Sequence, residues 1–344
     1  MGKRIGKRTI LLENKPKIIS YGSIVGKKEH EGPLSEEFDE YIIDSFFGEK
    51  SFEKAESKLQ KTAVEIALKK ANLNERDIDN IFAGDLLNQC IGSSFGLRQF
   101  GIPFIGLYGA CSTMALSTAL ASVFVDSGIS KKAIAVTSSH FCSAERQYRF
   151  PLDYGSQRTP TAQWTVTGAG AVMVSGGTAA AQAGVAVTHV TCGKVIDMGI
   201  TDANNMGAAM APAAADTIAA HMRDMHRSFA DYDLVVTGDL GKLGRQILIE
   251  LLSQQGVIPE EDRLFDCGCE IFSPEQDTHC GGSGCGCAAS MLCAHILPEI
   301  KSGKLKRVLF MATGALLSPT SSMQGESIPG VAHAVVLEHR EVRI

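Results

Sequence analysis

The chain has 344 residues, 44% of them hydrophobic and 21% charged, with a net charge of −5 and nine histidines. Such a composition excludes intrinsic disorder, and a pI near 6.0 leaves no basic field for nucleic acid, which is not an expected partner. Ten cysteines scattered through so long a chain point to reduced thiols in the cytosol and not to a disulfide framework.

Residues 1–17 are basic but hold no apolar stretch long enough for a signal peptide, and the longest uncharged runs, over 99–125 and 159–193, are broken by glycine, proline and polar residues, unlike the roughly 18 apolar residues of a membrane span. Any membrane association is therefore expected to be peripheral. Lys17–Ser23 reads as a strand, followed by an acidic, Gly-punctuated insertion from Gly26 to Lys50. Ser51 caps a predicted helix over Phe52–Ala71, in which Ala55, Leu59, Ala63, Ile66 and Ala67 recur at helical spacing. Asp77–Leu86 is a predicted buried strand, Ile91–Phe100 a helix and Pro103–Tyr108 a strand. Ser112–Asp126 is a helix of small and aliphatic residues almost without charge, so it must be buried. Lys132–Ser138 and Gly170–Ser175 are apolar strands, separated by a polar excursion, Phe141–Thr167, that reads as a cap or a dimer-facing loop.

The second half repeats this order. Ile81-Phe82-Ala83-Gly84-Asp85-Leu86 answers Val235-Val236-Thr237-Gly238-Asp239-Leu240. Asp126-Ser127-Gly128 before Lys132–Ser138 answers Lys301-Ser302-Gly303 before Arg307–Thr313, and Ala171–Val174 answers Ala334–Leu337. Three matches in one order imply a duplication, with halves at 1–178 (carrying insertions 26–50 and 141–167) and 179–344. Alternating strands and helices give layered α/β architecture, with parallel strands whose carboxyl ends gather the functional loops.

Cys111 sits in Tyr108-Gly109-Ala110-Cys111-Ser112-Thr113, at a sharp turn from strand into helix. Exposed amides at a helix start stabilise an anion, so the thiol pKa is expected to fall there, which is how a nucleophile is made.

Gly109-Ala110-Cys111-Ser112 followed by a small-residue helix resembles the active-site elbow of thiolases and ketoacyl synthases. Within that superfamily, Ala83–Gln89, Thr137–His140, Ala144–Gln147, Met210–Thr217 and Ala312–Thr320 resemble the stage V sporulation protein AD family of spore-forming bacteria, and the likeness runs nearly end to end. The resemblance implies a thiolase-like α/β fold, duplicated βαβαβ halves in a layered α-β-α-β-α arrangement. It also implies binding of dipicolinic acid for uptake into the developing spore, with calcium accompanying the ligand. The expected setting is a homodimer on the cytoplasmic side, peripheral to the spore inner membrane and working with the other stage V membrane-channel proteins.

The departures from condensing enzymes argue against catalysis. Initiating ketosynthases place a His after the strand that here runs Asp233–Thr237, but this chain continues Gly238-Asp239-Leu240. They carry an Asn in a Gly-Asn-Thr-Ser-Ala-Ala-Ser turn where this chain has Cys285 in Gly284–Ser290. Losing those partners removes proton transfer worth roughly 10²–10⁴ in rate and oxyanion stabilisation worth roughly 10²–10³. Cys111 would be catalytic only with a non-standard base, for which His140 and His333 are the candidates. A dipicolinate pocket needs elbow amides and a few donors: Asn88, Ser139, His140 and Arg146 are candidates, with Asp85 and Asp239 orienting donors, meeting calcium, or simply capping local turns. Cys285 is expected to pack opposite Cys111.

No metal or organic cofactor is expected. Cys267/Cys269 and Cys285/Cys287 each have one residue between them, whereas structural zinc sites space paired cysteines by two to four. Gly168-Ala169-Gly170-Ala171 lacks the third glycine of a dinucleotide fingerprint and enters a strand.

Overall fold

The computed structural model describes residues 2–148, 157–176 and 184–341. A hairpin of β1 (Lys3–Ile5) and β2 (Thr9–Leu11) precedes β3 (Lys17–Val25), and the 26–50 insertion folds as the short helix α1 (Lys27–His30) and β4 (Glu40–Tyr41), which pairs in parallel with the end of β3. Helix α2 (Phe52–Ala71) begins where its sequence demands, the Ser51 side chain accepting from the Lys54 amide. Its Leu59, Ala63, Val64 and Ala67 are fully buried against the sheet. There follow β5 (Asn80–Gly84), α3 (Ile91–Leu97), β6 (Phe104–Gly106), α4 (Thr113–Asp126), β7 (Lys132–Ser139), α5 (Phe141–Tyr148), β8 (Trp164–Thr165) and β9 (Gly168–Ser175). Strand β5 is shorter than expected because Asn74 caps a tight turn over Glu75–Asp77 and Asp85 turns its carboxyl onto the following loop.

The second half consists of β10 (Gly184–Thr191), α6 (Met206–Met225), β11 (Leu234–Thr237), α7 (Gly241–Gln254), β12 (Leu264–Asp266), α8 (Cys267–Glu270), β13 (Gly282–Ser283), α9 (Cys285–Met291), α10 (Leu297–Lys301), β14 (Arg307–Ala315), α11 (Pro319–Met323) and β15 (Gly330–Arg340). Strand order is β3-β9-β7-β5-β6 in one half and β10-β15-β14-β11-β12 in the other, the two joined through β3 and β10. The sequence repeats fall on matching strands: β5 with β11, β7 with β14, β9 with β15. The expected boundary between 178 and 179 lies outside the described residues.

The sheet is mixed and not parallel throughout. Strand β9 runs antiparallel to β3 and β7, and β15 to β10 and β14. The cause lies in the connections: among the described residues no helix packs back across the sheet between β7 and β9 or between β14 and β15, so the chain reverses instead of crossing over.

Helix α2 covers the outer face of β3, β7 and β9, and α6 covers β14 and β15, while α4 and α9 lie between the half-sheets. The charge-free α4 is buried as its composition required; Met114, Ala115, Ser117, Thr118 and Ala121 are fully covered. Helix α9 lies directly on β9, where a Cβ at Gly170 would stand 2.2 Å from the Ala289 carbonyl oxygen. No helix among the described residues is long and apolar enough to cross a membrane.

Candidate functional site

The elbow between β6 and α4 places Cys111 where the two halves meet. Ala110 adopts φ +48°, a conformation that costs a side-chain-bearing residue about 1–2 kcal/mol and here aims the next residue inward. The turn is closed by its own groups: the Ser112 and Thr113 amides donate to the Gly109 and Ala110 carbonyls at 3.1 and 3.2 Å. Their hydroxyls donate to the same two carbonyls at 2.7 and 2.6 Å. These amides are therefore committed inside the elbow and do not await an anion.

Cys111 is only 5% exposed and packs with Leu86, Ala110 and Cys285. Burial pushes its thiol well above the usual range, and the carboxyl of Asp239 beside it pushes the same way. The expected fall in pKa is thus corrected to a rise: desolvation by the closed pocket outweighs a helix start whose first amides are already bonded.

Asp239 holds the position behind Cys111. Its carboxyl accepts from the Gly284 amide at 2.9 Å and the Thr313 hydroxyl at 2.7 Å. Burial nevertheless raises it to about 7. Its loop is fixed from below by Asp266, which accepts from the Leu240 and Gly241 amides at 2.8 and 3.0 Å and from the Thr237 hydroxyl at 2.6 Å. Cys285 completes the group, its Sγ donating to the Ser138 carbonyl at 2.9 Å.

Of the other candidates, Asp85 is buried and accepts from the Leu87 amide at 2.8 Å and from the Ser93 amide and hydroxyl at 2.7 and 2.6 Å, so it caps its own loop. Ser139 donates to the Val166 carbonyl at 2.6 Å and accepts from the Gly286 amide at 3.0 Å, clasping β7 to α9. His140 accepts from the Cys142 amide through Nδ1 at 3.1 Å, which leaves Nε2 to donate to the Ser45 carbonyl at 2.8 Å. Both nitrogens are thus occupied, and burial lowers its pKa. His333 accepts from the Gly193 amide at 3.2 Å. Arg146 pairs with Glu53, and Asn88 is exposed, its amide held by Gln147 at 2.9 Å. None of Asn88, His140, Arg146 or His333 lines the Cys111 pocket.

That pocket is narrow, with a cavity volume of only about 30 Å³ behind its open mouth. Leu86, Ala110, Ala144, Met206, Ala315 and Leu317 form apolar walls, and Cys111, Tyr148, Thr165 and Ser283 supply polar atoms. Tyr148 was not foreseen. Its hydroxyl donates to the Leu86 carbonyl and lies 3.3 Å from that of Tyr108, and Gln147 donates to Leu86 as well at 2.9 Å, so α5 is clamped across the mouth. The signal for these residues lay in the distinctive strings themselves, since Ala144, Ala315 and Leu317 belong to two of them. The string over Met210–Thr217 works elsewhere: Asp216 pairs with Arg8, and Thr217 donates to the Ala332 carbonyl at 3.0 Å. All ten cysteines are free, and among the described residues no three potential metal ligands converge.

Residues 6–338 match the family model described as Stage V sporulation protein AD. The chain belongs to the stage V sporulation protein AD family. It is 46% identical to the Stage V sporulation protein AD of Bacillus subtilis (strain 168), over 98% of each chain. Solved structures share the fold of this chain. The 3-oxoacyl-[acyl-carrier-protein] synthase III of Aquifex aeolicus aligns with a TM-score of 0.58 at 17% identity, covering 94% of this chain and 99% of that one. A structure of Xanthomonas campestris OleA aligns with a TM-score of 0.60 at 12% identity, covering 98% and 100%. The stage V family thus has the thiolase-like ketosynthase fold.

Proposed function

We propose that this sporulation protein binds dipicolinic acid in the Cys111 pocket without chemistry, serving its uptake into the forespore. The observation that carries the reading is the company Cys111 keeps. The elbow and pocket of a condensing enzyme are present, but the thiol is desolvated and faced by a carboxyl and a second thiol. Apolar walls suit a pyridine ring once α5 moves aside to widen the cavity, and Thr165 and Ser283 offer hydroxyls to carboxylates. The described lining holds no Lys, Arg or His, so the reading includes a calcium ion that enters with the ligand and offsets its charge. It further includes a homodimer, supported by the open edge of β6, where Phe104 and Tyr108 are 41% and 47% exposed. The protein then acts at the cytoplasmic side of the spore inner membrane, peripherally, with the stage V channel proteins. Titration calorimetry with dipicolinate, with and without calcium, is expected to show saturable binding of one ligand per chain, much weakened in Cys111→Trp. Absence of heat and of saturation under both conditions would end the reading.

One observation favours acyl transfer as a second reading: Asp239, held near neutral pKa beside Cys111, is a better-placed base than either His. The Sγ would attack an acyl thioester carbonyl as its proton passes to Asp239, and the departing thiolate would recover that proton. Mass spectrometry after incubation with acyl thioesters separates the two. The binder reading expects no adduct on Cys111; an adduct that disappears in Asp239→Asn would establish acylation.

A further inference from the structure

The first eight residues contain Lys3, Arg4, Lys7 and Arg8 and no acid, in a chain of net charge −5, so the remaining residues stand at −9. They build the β1–β2 hairpin, with Lys3 opposite Leu11 and Ile5 opposite Thr9, and β2 carries the hairpin on β10 at the margin of the second half-sheet. It is firmly held. Asp224 near the end of α6 accepts from the Lys7, Arg8 and Thr9 amides at 3.0, 2.8 and 2.9 Å. Asp216 pairs with Arg8 and, at 3.6 Å, with Lys194.

Those anchors use the nearby acids without neutralising the outer charges. Asp224 is turned to backbone amides and Asp216 to Arg8. Lys3, Arg4 and Lys7 remain exposed and form no ion pair among the described residues. Arg4 is steadied by donating to the Lys7 carbonyl. Strand β1 is hydrogen-bonded on one side only, yet lysine and arginine along an open edge disfavour the addition of another strand. A fixed basic ridge on an otherwise acidic protein suits a surface of anionic headgroups, because attraction acts at the ridge while the remaining surface is repelled.

We propose that the β1–β2 hairpin docks the protein on an anionic lipid bilayer, with Lys3, Arg4 and Lys7 against the phosphates. The proposal rests on the peripheral membrane association inferred above, and not on the ligand. The test is co-sedimentation of the full chain with vesicles of phosphatidylglycerol mixed into phosphatidylcholine, and of phosphatidylcholine alone. Binding is expected only with the anionic lipid, falling as salt rises. The triple variant K3Q/R4Q/K7Q is expected to bind about a hundredfold more weakly. K50Q/K54Q/K69Q makes the same change of charge on and just before α2, and is expected to bind like the unaltered protein. Failure of the unaltered protein to bind anionic vesicles overturns the proposal and leaves a protein partner as the hairpin's occupant; an equal loss in the α2 control overturns it too. Calorimetry of the hairpin variant with dipicolinate keeps the two readings apart, since loss of lipid binding with ligand binding intact concerns the hairpin alone.

Discussion

Gly314→Ala is expected to lower stability by about 2–3 kcal/mol and to unseat Cys111, although it adds a single methyl group. A Cβ at Gly314 would lie 2.2 Å from the Gly109 carbonyl oxygen, 3.0 Å from the Ser112 amide nitrogen and 3.3 Å from that of Cys111. Something must move by about 1 Å to restore ordinary carbon–oxygen contact, and packing decides which side it is. Strand β14 is hydrogen-bonded to β15 along its whole length, Gly314 opposite Val331, and to β11 as far as Met311. The elbow hangs on its own short turn and therefore yields. The expected result is a melting point several degrees lower, together with at least tenfold weaker dipicolinate binding, because the displaced Cys111 reshapes the pocket floor. Gly256→Ala is the comparison: Gly256 has φ +75° with nothing within 4 Å, so its cost is conformational only, about 1 kcal/mol. If both variants melt alike and Gly314→Ala binds ligand normally, the elbow does not rest on β14 as described.

The elbow itself was legible because strand, sharp turn and helix are local features, and so was α2, whose cap and apolar spacing lie within one stretch of chain. The duplication was legible for a different reason: matching strands must satisfy the same buried environment. What could not be read was the use of side chains at strand ends, which depends on distant partners. Asp85 and Asp239 both follow glycine and precede leucine, yet one caps its own loop while the other meets Gly284, Thr313 and Cys111 from three separate segments. His140 ends β7 as expected, but the insertion delivers Ser45 to its ring. The thiol pKa failed for the same reason. A helix start is visible in sequence, whereas the burial that overrides it is made by both halves together.

Stability is expected to fall by on the order of 3 kcal/mol as pH rises from about 6.5 to 8, the opposite of a protein stabilised by surface carboxylates. Five buried carboxyls, Asp85 and Asp266 among them, are raised by desolvation, Glu29 and Asp239 to about 7 and Glu56 to about 8. Burial and the nearby Asp85 raise Glu56 against two serine hydroxyls that favour its ionised form. It accepts from the Ser138 and Ser143 hydroxyls at 3.3 and 2.6 Å, and one helical turn on, Gln60 Oε1 is buried without a hydrogen-bond partner. In each case the folded state binds its proton more tightly than the unfolded chain, so stability drops from the unfolded pKa up to the folded one, by about 1.4 kcal/mol per pH unit and carboxyl. Buried histidines oppose this at lower pH. Burial lowers His189 and His333 to about 4 and His221 to about 3, and staying neutral while the unfolded chain protonates makes stability rise with pH up to about 6.5. The two trends offset each other below 6.5, and above it only the carboxyls act, Glu56 over the widest range. Denaturant titrations across this window are expected to show the fall, and Glu56→Gln, which keeps the shape and cannot ionise, should reduce it to about 1.5 kcal/mol. A flat or rising profile in the unaltered protein would mean that these carboxyls are ionised in the folded state, with Glu56 stabilised by more than the two serine hydroxyls.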